Sequence, residues 1–224
     1  MTLQAVGKAP RTQVRTPQAA LQQGLAGLVL ELPQTAADKL LAYLELLAKW
    51  NRTYNLTAIR DPLQAVSLHL LDSLAVLGEL RDLRGGLADV GSGGGLPGIP
   101  LAIAEPERRV TLNDANQKKG AFLRQAVIEL DLANVDVYVG RAEQWRPQQR
   151  FGVVITRGFA SLADFLAACR HLAAPGGVLA AMKGAYPEAE LAQLPGDCDC
   201  SDVRRLRVPQ LEAERHLVLC RASI

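Results

Sequence analysis

Beyond residue 85, short apolar runs alternate with amphipathic stretches, and no other feature of the 224-residue chain restricts its fold as strongly. LADV precedes IPLAIAE, RVTLND precedes KGAFLRQAVIEL, and VDVYVG follows. FGVVIT then precedes LADFLAACRHL, GGVLAAMKG comes next, and two last apolar runs lie near 203–208 and 216–221. The short runs read as buried strands and the stretches repeating every three or four residues as helices. Strands separated by helices pair in parallel, because the helix carries the chain back to the starting edge. Such a sheet must be covered on both faces. Residues 85–224 are therefore expected to form one α/β domain, a mostly parallel twisted sheet with helices on both faces, of the Rossmann-like kind.

The N-terminal part reads differently. Ala37, Leu40, Leu41, Leu44, Leu47 and Ala48 recur at helical spacing, with Asp38, Lys39, Glu45 and Lys49 on the opposite face. KWNRTYNLTAIRDP (49–62) reads as an irregular polar connection. Asp61 and Pro62 then suit the N-cap and first position of a second helix running to about Leu80. Residues 18–84 are thus expected to be a helical cap. Residues 1–17 lack periodicity and carry Lys8, Arg11 and Arg15 with no acid before Glu31, so a loose basic tail is expected. Cys169, Cys198, Cys200 and Cys220 show no disulfide or zinc spacing, which predicts reduced thiols. With no apolar run of ~18 residues and no signal-peptide core, the expectation is a cytoplasmic monomer without membrane contact.

The first strand runs into GSGGGLPG, five glycines within residues 91–98. In an open α/β sheet, ligands bind outside the carboxyl ends of the strands, beside the first strand–helix turn. Glycines there allow positive φ and close approach of a ligand. Gly93-x-Gly95-x-x-Gly98 fits a dinucleotide fingerprint, while Gly91-x-Gly93-x-Gly95 fits a loop for S-adenosylmethionine. Asp114 ends the second strand, where either cofactor's ribose hydroxyls would meet a carboxylate. GLPGIP lacks the Lys-Ser/Thr of a phosphate-binding P-loop. Pro97 and Pro100 leave few open N–H groups for a pyrophosphate, which favours the sulfonium cofactor. Ala142 and Glu143, past the third strand, stand where an adenine could lie. An NAD(P)-dependent oxidoreductase and a non-enzymatic nucleotide-binding partner of the ribosome remain alternatives at this level.

KWNRTYNLT, HLLDSLAV, DVGSGGGLPGIPLAI, TRGFASL, MKG and VPQLEAERHLV occur in that order. Together they resemble the bacterial glucose-inhibited division protein B family of 16S ribosomal RNA guanine-N7 methyltransferases, over roughly residues 35–221. The resemblance implies a methyltransferase that carries the methyl of S-adenosylmethionine to N7 of one guanine, nucleotide 527 in the usual bacterial numbering. It implies 16S rRNA, the small subunit or an assembly intermediate as partner. It places Gly91, Gly93, Gly95 and Leu96 along the cofactor, Ala142 and Glu143 at its adenine, and Arg157 beside cofactor and incoming base. Two departures stand out: Thr156-Arg157-Gly158 where Ser-Arg-Ala is usual, and ANQKKGAFL after Asp114 instead of a Ser-led variant.

Guanine N7 is an in-plane lone pair without a proton, so in-line displacement on a sulfonium methyl needs positioning, about 3–3.5 Å between donor and acceptor, and no obligatory base. TRGF stands where amino-group methyltransferases carry an Asn/Asp-Pro-Pro-aromatic turn. Lys118, Lys119, Arg124, Arg141, Lys183 and Arg215, with Arg157, suggest a basic RNA track along the strand ends. The net charge of +2 neither requires nor excludes such a partner. His69 and Asp72, three apart in the second cap helix, read as a half-buried pair holding cap to core, and His216 reads as structural.

Overall fold

The computed structural model describes residues 16–194 and 199–221; residues 1–15 of the expected tail, Cys198 and the last three residues lie outside them, while Thr16 caps and Pro17 opens a helix. The chain opens with α1 (Pro17–Gly27), whose first turn is capped by the Thr16 hydroxyl accepting from the Ala19 N–H. α2 (Gln34–Tyr54) follows. Next come α3 (Pro62–Ala65), a π-helical turn (Val66–Leu71), α4 (Asp72–Leu74) and α5 (Leu77–Leu80). Asp61 caps α3 as its position before Pro62 suggests, accepting from the Gln64 N–H at 2.8 Å. α2 runs six residues into the stretch that reads as an irregular connection. Trp50 packs on Tyr54 and Phe122, and Asn51 clasps Thr57 through both its N–H and C=O, so packing across the turn carries the helix onward. Pro62–Leu80 is long and apolar enough to cross a membrane, but 61% of it is buried inside the molecule, as in a core helix.

The sheet comprises β1 (Leu87–Val90), β2 (Val110–Asp114), β3 (Val135–Val139), β4 (Phe151–Arg157), β5 (Ala173–Lys183), β6 (Asp199–Leu206) and β7 (Arg215–Arg221). Their order is β3-β2-β1-β4-β5-β7-β6. The first five are parallel; β7 runs antiparallel to β5 and β6. Between them lie α6 (Gly98–Ala104), α7 (Gln117–Glu129), α8 (Leu162–Cys169) and α9 (Glu188–Ala192). This is the mostly parallel, Rossmann-like architecture that strand–helix alternation implies.

Alternate residues along each strand feed two separate cores. Val153, Ile155, Ala180 and Leu217 pack with α6, α7 and the N-terminal helices, while Val154, Leu179, Ala181 and Val218 pack with α8. Leu21, Leu40, Leu47, Leu70, Leu71 and Leu74 of the N-terminal helices are at most 2% exposed. Each contributes about 1.5–3 kcal/mol of burial, so these helices are bound into the first core. The cysteine expectation is overturned. Cys200 in β6 is bonded to Cys220 in β7, with Cα atoms 4.1 Å apart. The two are 20 residues apart and meet only because β6 and β7 form a hairpin, which spacing does not reveal. Cys169 is free and buried, and burial pushes its thiol up to about 12.

Candidate active site at the carboxyl ends of the strands

β1 sits between β2 and β4, so the chain changes direction across the sheet at this strand. Ligand crevices form at such switch points. Just past Val90 the backbone turns through Gly91 (φ 71°), Gly93 (φ 56°) and Gly95 (φ 88°). The turn is bolted down from several sides. The Ser92 N–H donates to Asn113 C=O and its hydroxyl to Asp89 C=O. Asp114 accepts from the Gly93 N–H at 3.0 Å and, through its other oxygen, from the Asn116 N–H at 2.8 Å. Lys119 Nζ stands 3.8 Å away. A Cβ on Gly91 would meet nothing within 4 Å, whereas one on Gly95 would lie 2.4 Å from Ile99. Gly91 thus faces open space, and Gly95 faces the core with buried Leu96 beside it.

Three side chains that build this site are not singled out as site residues by sequence reasoning. Asp89, fully buried in β1, accepts from the Gly98 N–H at 2.9 Å. Its second oxygen has no hydrogen-bond partner among the described residues. Burial lifts its carboxyl to about 7, against the Gly98 bond and the Arg157 charge, which both lower it. An acid inside an otherwise apolar strand, directly before the glycines, was the available signal. Tyr43, buried in α2, donates its hydroxyl to Gly94 C=O at 2.6 Å, and burial holds its phenol above the usual range. A contact across 51 residues leaves no local mark in sequence.

Asp72 is the third, and its partner differs from expectation. It does not pair with His69. It takes Arg157 Nη1 on one oxygen at 3.0 Å and Arg215 Nε on the other at 2.7 Å. Arg157 Nη1 also reaches Leu68 C=O at 3.0 Å. The Asp72 side chain is 4% exposed, against 23% for Arg157 and 21% for Arg215. Two guanidiniums from β4 and β7 outcompete a neutral imidazole for the one carboxylate. His69 instead faces the Thr57 hydroxyl at 2.9 Å. Burial, with the Arg157 charge adding to it, pushes its imidazole down to about 4.

After β3, Ala142–Gln144 make one 3-10 turn with Ala142 buried and Glu143 exposed. Asn113 ties this segment to the glycine turn by donating to Tyr138 C=O and Gly140 C=O. The basic residues divide into two sets. Lys118, Arg124 and Arg141 are exposed and Lys119 half-buried. Lys183 is held by Glu190 at 2.8 Å, at the same strand ends but on the sheet face opposite the Arg157–Asp72–Arg215 cluster.

Residues 36–218 match the GidB family model, rRNA small subunit methyltransferase G. The Laribacter hongkongensis protein called ribosomal RNA small subunit methyltransferase G is 52% identical over 200 residues, 88% of this chain and 95% of that one. The Burkholderia thailandensis protein of the same description is 50% identical over 218 residues, 94% of each chain. Among solved structures, a SAM dependent methyltransferase from Aquifex aeolicus has a TM-score of 0.55 at 19% identity, covering 79% of this chain and 98% of its own. A DhpI–SAH complex has a TM-score of 0.50 at 16% identity, covering 86% and 99%. Those two likenesses show the fold; the sequence matches decide between the readings that the glycine spacing leaves open. The chain belongs to the rRNA small subunit methyltransferase G family.

Proposed function

We propose that the protein transfers the methyl group of S-adenosylmethionine to N7 of a guanine in 16S ribosomal RNA, nucleotide 527. The observation that carries this reading is the convergence, at the switch point of the sheet, of an open glycine turn, the Asp114 carboxylate and the Arg157 guanidinium. The residues fit the cofactor: the Gly91 Cα faces open space, and Asp114, with about four lone-pair positions, keeps acceptors beyond the two backbone N–H groups it holds. Gly91, Gly93, Leu96 and Asp114 would hold its amino-acid and ribose portions, with Gly95 closing the turn, and Ala142 and Glu143 its adenine. When bound, it supplies the electrophilic methyl.

The chain's own work is positioning. Guanine N7 carries no proton, so no side chain has to remove one; the turn and Arg157 need only hold acceptor and donor in line. Arg157 uses Nη1 on Asp72 and Leu68, which sets its plane and leaves further donors of its fork for guanine O6 or a phosphate. N7 itself must stay unbonded to react. Lys118, Lys119, Arg124 and Arg141 supply positive charge where RNA would cross the strand ends, with Lys183 and Arg215 adding to it from their ion pairs. Incubation with methyl-labelled S-adenosylmethionine and small ribosomal subunits, in parallel with naked 16S rRNA, tests the reading. Label is expected in the RNA. Binding of S-adenosylhomocysteine without any RNA labelling would overturn it.

A further inference from the structure

Few aromatic side chains reach the surface of this protein. Among the described residues, Tyr54 (41%) and Tyr186 (54%) are the aromatics counted among the exposed large apolar side chains. Tyr54 lies along Trp50, ring centroids 5.2 Å apart, at the end of α2. Tyr186 stands elsewhere, three residues past Lys183, where β5 ends. The preceding residue, Met182, is the register partner of Arg157, so Tyr186 follows the strand end next to the one that carries Arg157.

The ring is also held. His216, 6% exposed, meets it edge-to-face with centroids 5.7 Å apart and is itself fixed by a 2.8 Å contact between Nδ1 and Gly184 C=O. Pro187 restricts the backbone at Tyr186, and the Lys183–Glu190 ion pair closes the loop between β5 and α9. One perpendicular contact leaves much of the ring open. On the same rim of the sheet but on its other face, Arg157 and Arg215 share the single carboxylate of Asp72. An exposed aromatic on a rim that also carries two guanidiniums matches a nucleotide that spans the rim, base on ring and phosphate on guanidinium.

We propose that Tyr186 is the platform on which a base of the RNA substrate stacks as the target guanine enters the site. This rests on the reading of the protein as an rRNA methyltransferase and adds a specificity-determining residue to it. Stacking is worth about 1–3 kcal/mol per base, which converts to a five- to 150-fold effect.

The test compares wild type with Tyr186→Ala, Tyr186→Phe and Tyr186→Leu, using small subunits or 16S rRNA, whichever wild type methylates. Tyr186→Ala is expected to raise KM for RNA about tenfold or more, leaving S-adenosylhomocysteine affinity and Tm unchanged. Tyr186→Phe should restore wild-type KM, whereas Tyr186→Leu should not. An unchanged KM in Tyr186→Ala overturns the inference, as does full rescue by Leu or a parallel loss of S-adenosylhomocysteine affinity. If wild type methylates no RNA while binding S-adenosylhomocysteine, the underlying reading fails first. Filter binding of the same RNA to wild type and Tyr186→Ala then decides the stacking role separately, equal affinities overturning it.

Discussion

Asp114 and Arg157 divide the work at the scale of single residues. Asp114 bonds the glycine turn and has acceptors left over, which under the proposed function serve the ligand. Asp114→Asn keeps the shape and removes the charge. S-adenosylhomocysteine affinity is expected to fall by about 1–3 kcal/mol, the range for a hydrogen bond to a charged group, in a calorimetric titration. Unchanged affinity would remove Asp114 from the cofactor. Arg157 is 23% exposed and anchored through one nitrogen. Arg157→Ala should leave the fold intact by circular dichroism and cut labelled-methyl transfer at least a hundredfold, about 2.7 kcal/mol of lost positioning. Wild-type turnover in that variant would exclude it from the site. The places of Asp114 and Arg157 at strand ends were legible from sequence, and the structure has them there. Tyr43 was not legible, because its contact joins positions 51 residues apart, and Asp89 was marked only by being an acid inside an apolar strand.

At the scale of elements, β1 and α6 are joined through Asp89, whose carboxyl accepts from the first turn of the helix. A Cβ on Gly98 would lie 2.3 Å from Leu112 and 2.7 Å from the Asp89 carboxylate, so the helix can come this close only with glycine there. Burial raises Asp89 from 3.8 to about 7. Between those values the folded protein keeps a proton that the unfolded chain has released. The contribution of Asp89 to stability is therefore complete below about pH 4 and is lost as pH rises through about 7. Asp89→Asn removes this titration. Its Tm relative to wild type is expected to climb by several degrees from about pH 5 to pH 8, and parallel Tm curves would contradict the assignment. The parallel strands were legible because each carries a run of β-branched and other apolar residues between helical stretches, most fully in β1 and β4, whose faces are both buried. The strand order, the helical stretch 49–54 and the Cys200–Cys220 bond depend on which elements meet, which local pattern does not encode.

For the whole molecule, the N-terminal helices and the sheet meet at the site in two places, Tyr43 on the glycine turn and Asp72 on Arg157 and Arg215. Asp72 therefore couples the cap, β4 and β7 as well as orienting Arg157. Asp72→Asn leaves two partly exposed guanidiniums without their shared charge and should cost on the order of 1–3 kcal/mol of stability, read as a lower denaturation midpoint. Methyl transfer should fall with S-adenosylhomocysteine affinity nearly unchanged, because the loss concerns the orientation of Arg157. A stable variant with full activity would mean the cap only packs against the site. In the proposed reaction the whole arrangement delivers a methyl group to one guanine N7. Labelled rRNA from small subunits treated with the protein, cleaved at N7-methylguanine by borohydride and aniline and mapped, tests it most directly. A single break, at guanine 527, is expected. Labelled RNA that resists cleavage, or that breaks elsewhere, would contradict it.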